Sequence, residues 1–110
     1  MTQYRPMTWQ VATPAEDLWE GELTGVELGG TNIVLLNVAG EIHAFEDRCP
    51  HLGGRLSEGT LDGSTLTCAN HLWEFDGLTG KGTNPGNCQL TTFGTRIREG
   101  QIEVLAPGPQ

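Results

Sequence analysis

Short β-rich runs set between glycines make up most of this chain. Thr31-Asn-Ile-Val-Leu-Leu-Asn-Val38 predicts a strand, Ala39-Gly40 a turn, and Glu41-Ile-His-Ala-Phe45 a returning strand with alternating side chains. Residues Thr91 to Arg98, the turn Glu99-Gly100 and residues Gln101 to Leu105 predict a second hairpin. Between the hairpins, Leu66-Thr-Cys68 and Leu72-Trp-Glu-Phe75 flank a loop. One short helix is expected near the start, with Thr13 as its cap, Pro14 in its first position and Glu16 completing a capping box. Leu18 and Trp19 would then pack on the sheet, and the tail Ala106 to Gln110 would fray. No repeat or low-complexity linker interrupts the pattern. The fold class that follows is all-β, with a two-loop insertion and at most one short helix.

Length and composition narrow the setting. The 110 residues predict one domain over residues 1–110, large enough for a modest core. No stretch approaches the roughly 20 apolar residues of a membrane helix, and the start Met-Thr-Gln-Tyr-Arg-Pro lacks an apolar signal core. A cytoplasmic protein with no membrane association is expected. Fourteen acids against six bases give a net charge of −8, which disfavours nucleic acid and suits transient docking on basic protein patches. Three cysteines do not fit a disulfide framework, which prefers an even count.

The candidate chemistry lies in two strings, Cys49-Pro-His51 and Cys68-Ala-Asn-His71, separated by the sixteen residues Leu52 to Thr67. Each pairs a thiolate donor with an imidazole donor. Two Cys and two His in matched loops suit a [2Fe–2S] cluster with two imidazoles on one iron. Cys49 and Cys68 would hold the inner iron, and His51 and His71 the outer one. Imidazole is neutral where thiolate is anionic, so the substitution raises the reduction potential relative to an all-Cys cluster. A zinc-stabilised binding module is the rival from another class, but its usual spacing sets two Cys together and two His together. A thiol hydrolase would leave the duplication unexplained.

These strings resemble the Rieske pattern, and the likeness extends to Cys49-Pro-His-Leu-Gly-Gly54, Leu56-Ser-Glu-Gly59, Cys68-Ala-Asn-His-Leu-Trp-Glu-Phe-Asp76, Thr79-Gly80 and the loop Thr83-Asn-Pro-Gly86. It spans roughly residues 9 to 105. The resemblance implies a Rieske-type antiparallel β-sandwich or partly open barrel, with a cluster-binding subdomain over about residues 47–87. It also implies a single [2Fe–2S] cluster held by Cys49, His51, Cys68 and His71. High-potential Rieske proteins carry an extra Cys in each loop, where this chain has Gly54 and Asn70, and two hydroxyl donors, where it has Leu72-Trp73 and Phe75. Their absence implies a potential toward the lower end of the roughly −150 to +300 mV Rieske span. The small subunit of nitrite reductase, another relative, often lacks the ligands that are all present here.

Stand-alone members of the family are ferredoxins of multicomponent oxygenases, and this chain most resembles those of toluene- and alkene-oxidising monooxygenases. The resemblance implies a monomeric one-electron carrier, not itself an enzyme. Its partners would be an NADH-dependent flavoprotein reductase and a diiron hydroxylase; a ring-hydroxylating dioxygenase is the alternative oxygenase. No mononuclear-iron domain follows the last hairpin, so the chain is not expected to oxygenate anything alone. Leu52, Trp73 and Pro85 are candidates for a docking patch, with core packing the competing role for Trp73. Arg48, Arg55 and Lys81, among Glu46, Asp47, Glu58, Glu74 and Asp76, are expected to form a solvated charged rim. His43 is expected to be an ordinary strand residue, and Cys88 a thiol without a ligand role. Gly53, Gly54 and Gly59 are expected to let backbone approach the cluster or turn sharply.

Overall fold

In the computed structural model, which describes residues 6–50, 54–69, 73–84, 86 and 88–108, ten strands follow one another along the chain. They are β1 (Met7–Pro14), β2 (Leu23–Leu28), β3 (Thr31–Val38), β4 (Glu41–Glu46), β5 (Thr60–Asp62), β6 (Thr65–Thr67), β7 (Glu74–Asp76), β8 (Gly82–Asn84), β9 (Thr92–Arg98) and β10 (Gln101–Pro107). A curled six-stranded sheet has the order β1-β10-β9-β4-β3-β2, and a four-stranded sheet has the order β5-β6-β7-β8. All of the strand pairings are antiparallel. The all-β expectation holds.

Both expected hairpins form. Val38 pairs with Glu41, and Arg98 with Gln101, so two residues close each one. Ala39, Gly40, Glu99 and Gly100 have φ of 52°, 94°, 53° and 77°. Positive φ at both central positions is the type I′ turn, whose twist matches that of the flanking strands.

The continuous apolar run of β3 has a specific cause. Ile33 through Val38 are all buried, although a strand covered on one face would bury only alternate residues. Ile33 and Leu35 face one core with Leu18, Leu28, Ala44, Ile102, Val104 and Ala106. Val34, Leu36 and Val38 face the other, with Phe45, Leu56, Leu66, Phe75, Leu90 and the two cysteines Cys49 and Cys68. The same alternation divides β4, sending Ala44 to the first core and Phe45 to the second. Complete burial of a Leu, Ile or Phe side chain contributes about 1.5–3 kcal/mol. The β3–β4 hairpin is thus the wall between the two cores.

Three expectations near the chain ends are corrected. The expected N-terminal helix is one 3₁₀ turn, Ala15–Asp17, with no side-chain cap. Thr13 and Pro14 instead continue β1, pairing with Ile102 and Gln101. The distant strand β10 supplies backbone partners that a local capping pattern does not anticipate. Leu18 is buried as expected, but Trp19 is 72% exposed. Its indole Nε1 donates to Glu16 O at 2.7 Å, and its amide donates to Glu22 Oε1 at 2.8 Å. The tail is ordered through Gly108: Ala106 is buried, and the Gly108 amide donates to Pro6 O at 2.9 Å. No helix among the described residues is long and apolar enough to cross a membrane.

Candidate iron–sulfur site

The two ligand strings lie on loops that leave strand ends in the same way. The first loop follows β4, and its Cys49 amide donates to Gly54 O at 2.7 Å. The second joins β6 to β7, and its Cys68 amide donates to Trp73 O at 2.8 Å. In both, a bond from a cysteine to the residue five positions on closes the neck of the loop. Each thiol is thereby fixed at the root of its loop.

Both roots point into one environment. Cys49 and Cys68 are fully buried and belong to the same core as Leu56, Leu66, Phe75 and Leu90. Trp73 and Cys88 are partly buried and pack against that core. The loop stems touch as well. A Cβ added to Gly59, where the first loop ends, would fall on the carbonyl oxygen of Thr67, immediately before Cys68. Gly59 is thus a point where the backbones of the two loops meet. Gly59 has φ −86° and stands at a bend between the 3₁₀ turn and β5, so the chain turns there without a left-handed backbone.

From behind, the loop core rests on the segment before β9. Gly80, at φ +78°, sits where a Cβ would be 2.7 Å from Phe45 Cε1. Its carbonyl accepts the Leu90 amide at 2.9 Å, and the Glu46 amide donates to Thr91 O at 2.9 Å. These contacts join the loop after β8 to the root of the first ligand loop.

Sequence reading placed Asp47 in a solvated rim, and this is wrong: Asp47 is only 4% exposed. Its Oδ1 accepts the Ser57 amide at 2.8 Å, and its Oδ2 accepts the Ser57 hydroxyl at 2.6 Å. Arg55 Nη1 lies 4.0 Å from Oδ2. A buried carboxylate needs such donors to offset its lost hydration. Arg48, Arg55, Glu58 and Lys81 are exposed, as a rim requires, while Glu74 and Asp76 are half-buried. The Asp76 Oδ1 accepts the Leu78 amide at 2.9 Å within its turn. His43 is a half-buried residue of β4 with its ring 3.2 Å from Glu41 Oε1, outside both loops.

Among the candidate ligands, the structure brings Cys49 and Cys68 into one core, while His51 and His71 lie outside the described residues. Leu52, Gly53, Asn70 and Pro85 lie outside them too. Two thiols buried in an apolar shell, on loops held in contact, suit a group bound through thiolate donors.

A family model for the Rieske [2Fe-2S] domain matches residues 8–94. The chain belongs to this family. The Rieske cofactor is one [2Fe–2S] cluster, which sets the zinc reading aside. The chain is similar to the ferredoxin component of the alkene monooxygenase system of Xanthobacter autotrophicus, 34% identical over 90 residues that cover 81% of this chain and 74% of the relative. It is also similar to the ferredoxin component of the naphthalene 1,2-dioxygenase system of Pseudomonas putida, 38% identical over 97 residues, covering 87% and 93%. Among solved structures, a complex of reduced oxygenase and oxidized ferredoxin in carbazole 1,9a-dioxygenase contains a chain that superposes with a TM-score of 0.82 at 30% identity, covering 93% of this chain and 96% of that one.

Proposed function

We propose that this Rieske protein is the ferredoxin of a multicomponent oxygenase, a one-electron carrier rather than an enzyme. It takes an electron from an NADH-dependent flavoprotein reductase and delivers it to a diiron hydrocarbon monooxygenase. Residues 1–110 form one Rieske unit, with about 47–87 as its cluster-binding part. Cys49 and Cys68 ligate the inner iron, and His51 and His71 the outer one. The bound cluster supplies reversible one-electron chemistry.

The observation that carries this reading is the pair of matched loops, each rooted in a buried cysteine of one apolar core. The docking end in this reading is the one assigned to His51 and His71. Partners dock there in turn, through Leu52, Trp73 and Pro85. The net charge of −8 favours electrostatically guided, transient association with both. The protein acts as a monomer in the cytoplasm.

Similarity to the alkene monooxygenase ferredoxin supports a monooxygenase partner. Similarity to the naphthalene dioxygenase ferredoxin supports the second reading, a ring-hydroxylating dioxygenase. Reconstitution decides between them. The purified red-brown protein, added to reductase and NADH, should restore product formation by a diiron hydroxylase and leave a dioxygenase inactive. The reverse result favours the second reading. A colourless protein without acid-labile sulfide rejects both.

A further inference from the structure

We infer that Asp47 and Ser57 form a positioning clamp that sets the shape of the first ligand loop, and that Gly25 on β2 provides the space the clamp needs. This rests on the proposed assignment of that loop to the cluster.

The clamp has three parts. Asp47 is anchored to the main sheet, since its amide donates to Asn32 O at 2.9 Å at the end of the β3–β4 ladder. Its carboxylate then crosses the base of the loop and takes both the amide (2.8 Å) and the hydroxyl (2.6 Å) of Ser57. The root of the loop at Cys49 lies within a ring of chain closed by one side chain. Ser57 lies in the 3₁₀ turn Leu56–Glu58, and Leu56 is fully buried beside both ligand cysteines. Movement of Ser57 is therefore transmitted to the cysteine core through its neighbour.

Gly25 is the third part. It sits in β2, paired with Val34, remote in sequence from both ligand strings. A Cβ there would lie 2.8 Å from Ser57 Oγ, 3.0 Å from Ser57 Cβ and 3.1 Å from Asp47 Oδ2. Its φ is not positive, so the backbone itself would accept alanine. The added methyl would instead crowd the Ser57 side chain and the Asp47 carboxylate where they meet. Gly25 is thus coupled to the loop through the Asp47–Ser57 pair.

The test uses the cluster-loaded full chain and the variants Ser57→Ala, Asp47→Asn and Gly25→Ala. Their midpoint potentials, their EPR spectra after reduction and the rate at which a chelator strips the cluster are compared at matched far-UV circular dichroism. The clamp predicts altered g-anisotropy, a shifted potential and stripping faster by about tenfold in each. It also predicts that Gly25→Ala has a smaller effect in the Ser57→Ala background, where the hydroxyl contact is gone and only the contacts with the residue 57 Cβ and the Asp47 carboxylate remain. If Asp47→Asn does not fold, the other two variants decide. Folded Ser57→Ala and Gly25→Ala proteins with wild-type spectra, potentials and stripping rates overturn the clamp while leaving the ligand assignment intact. A wild-type protein with no Rieske EPR signal overturns the assignment and the clamp together.

Discussion

Gly59 lies directly against the main chain of Thr67, so the end of one ligand loop and the start of the other share a contact too close for any side chain. Gly59→Ala must push the stems apart. Overpacking of this kind costs about 1–3 kcal/mol, and more where backbone opposes it. The expected outcome is a lower denaturation midpoint together with reduced iron and sulfide content. A variant with full cluster occupancy and unchanged stability would show that the stems yield freely.

The cysteines differ in burial and should differ in consequence. Cys49→Ser and Cys68→Ser are each expected to abolish the Rieske absorption and EPR signals. Cys88, half-buried at the margin of the same core, is expected to tolerate serine with both signals intact. Loss of the cluster in Cys88→Ser would reassign the ligand set.

Gly80 combines a left-handed backbone, φ +78°, with a close approach to the ring of Phe45. Alanine there meets backbone strain of about 1–2 kcal/mol and crowds a fully packed aromatic. Urea denaturation of Gly80→Ala should show a loss of about 2 kcal/mol or more. Gly100, also at positive φ but with nothing near its would-be Cβ, should lose only the backbone part on the same substitution.

Trp73 is partly buried against the cysteine core and is also a candidate docking residue. Its carbonyl, which receives the Cys68 amide, survives replacement of the side chain. Trp73→Ala is therefore expected to keep the cluster spectrum, lose about 1–3 kcal/mol of stability and raise the ferredoxin concentration needed for half-maximal oxygenase turnover. Unchanged turnover kinetics would assign Trp73 to packing alone.

The midpoint potential should fall below zero, within the lower part of the roughly −150 to +300 mV span of Rieske centres. Where relatives of high potential offer a hydroxyl, the chain has Phe75, which is fully buried. Reductive titration gives the value directly, and a midpoint well above zero would mean that other groups supply the missing hydrogen bonds.

Much of the fold was legible because its signals are local. The Ala39-Gly40 and Glu99-Gly100 turns carry their own twist, and the flanking strands follow from them. The N-terminal segment was misread for the opposite reason. Thr13, Pro14 and Glu16 form a locally persuasive cap, yet β10 captures Thr13 and Pro14 by ladder pairing from the far end of the chain. β1 also presents Met7, Trp9 and Val11 outward, so its apolar residues do not mark a buried face. In the site, spacing alone singled out Cys49, His51, Cys68 and His71, because cluster ligation demands particular donor types at short range. Asp47 gave no such signal, since a carboxylate amid charged neighbours looks the same in sequence whether it is solvated or enclosed.

The sequence by itself determined the family and the strand-rich plan and singled out the proposed donors, all of which depend on residues near one another in the chain. Tertiary structure alone decided how β3 separates two cores, how Gly59 meets Thr67, and how Gly25 on an edge strand makes room for Asp47 and Ser57. Those relationships join residues from different elements. They exist only once the chain is packed, because burial and close contact are properties of the assembled fold.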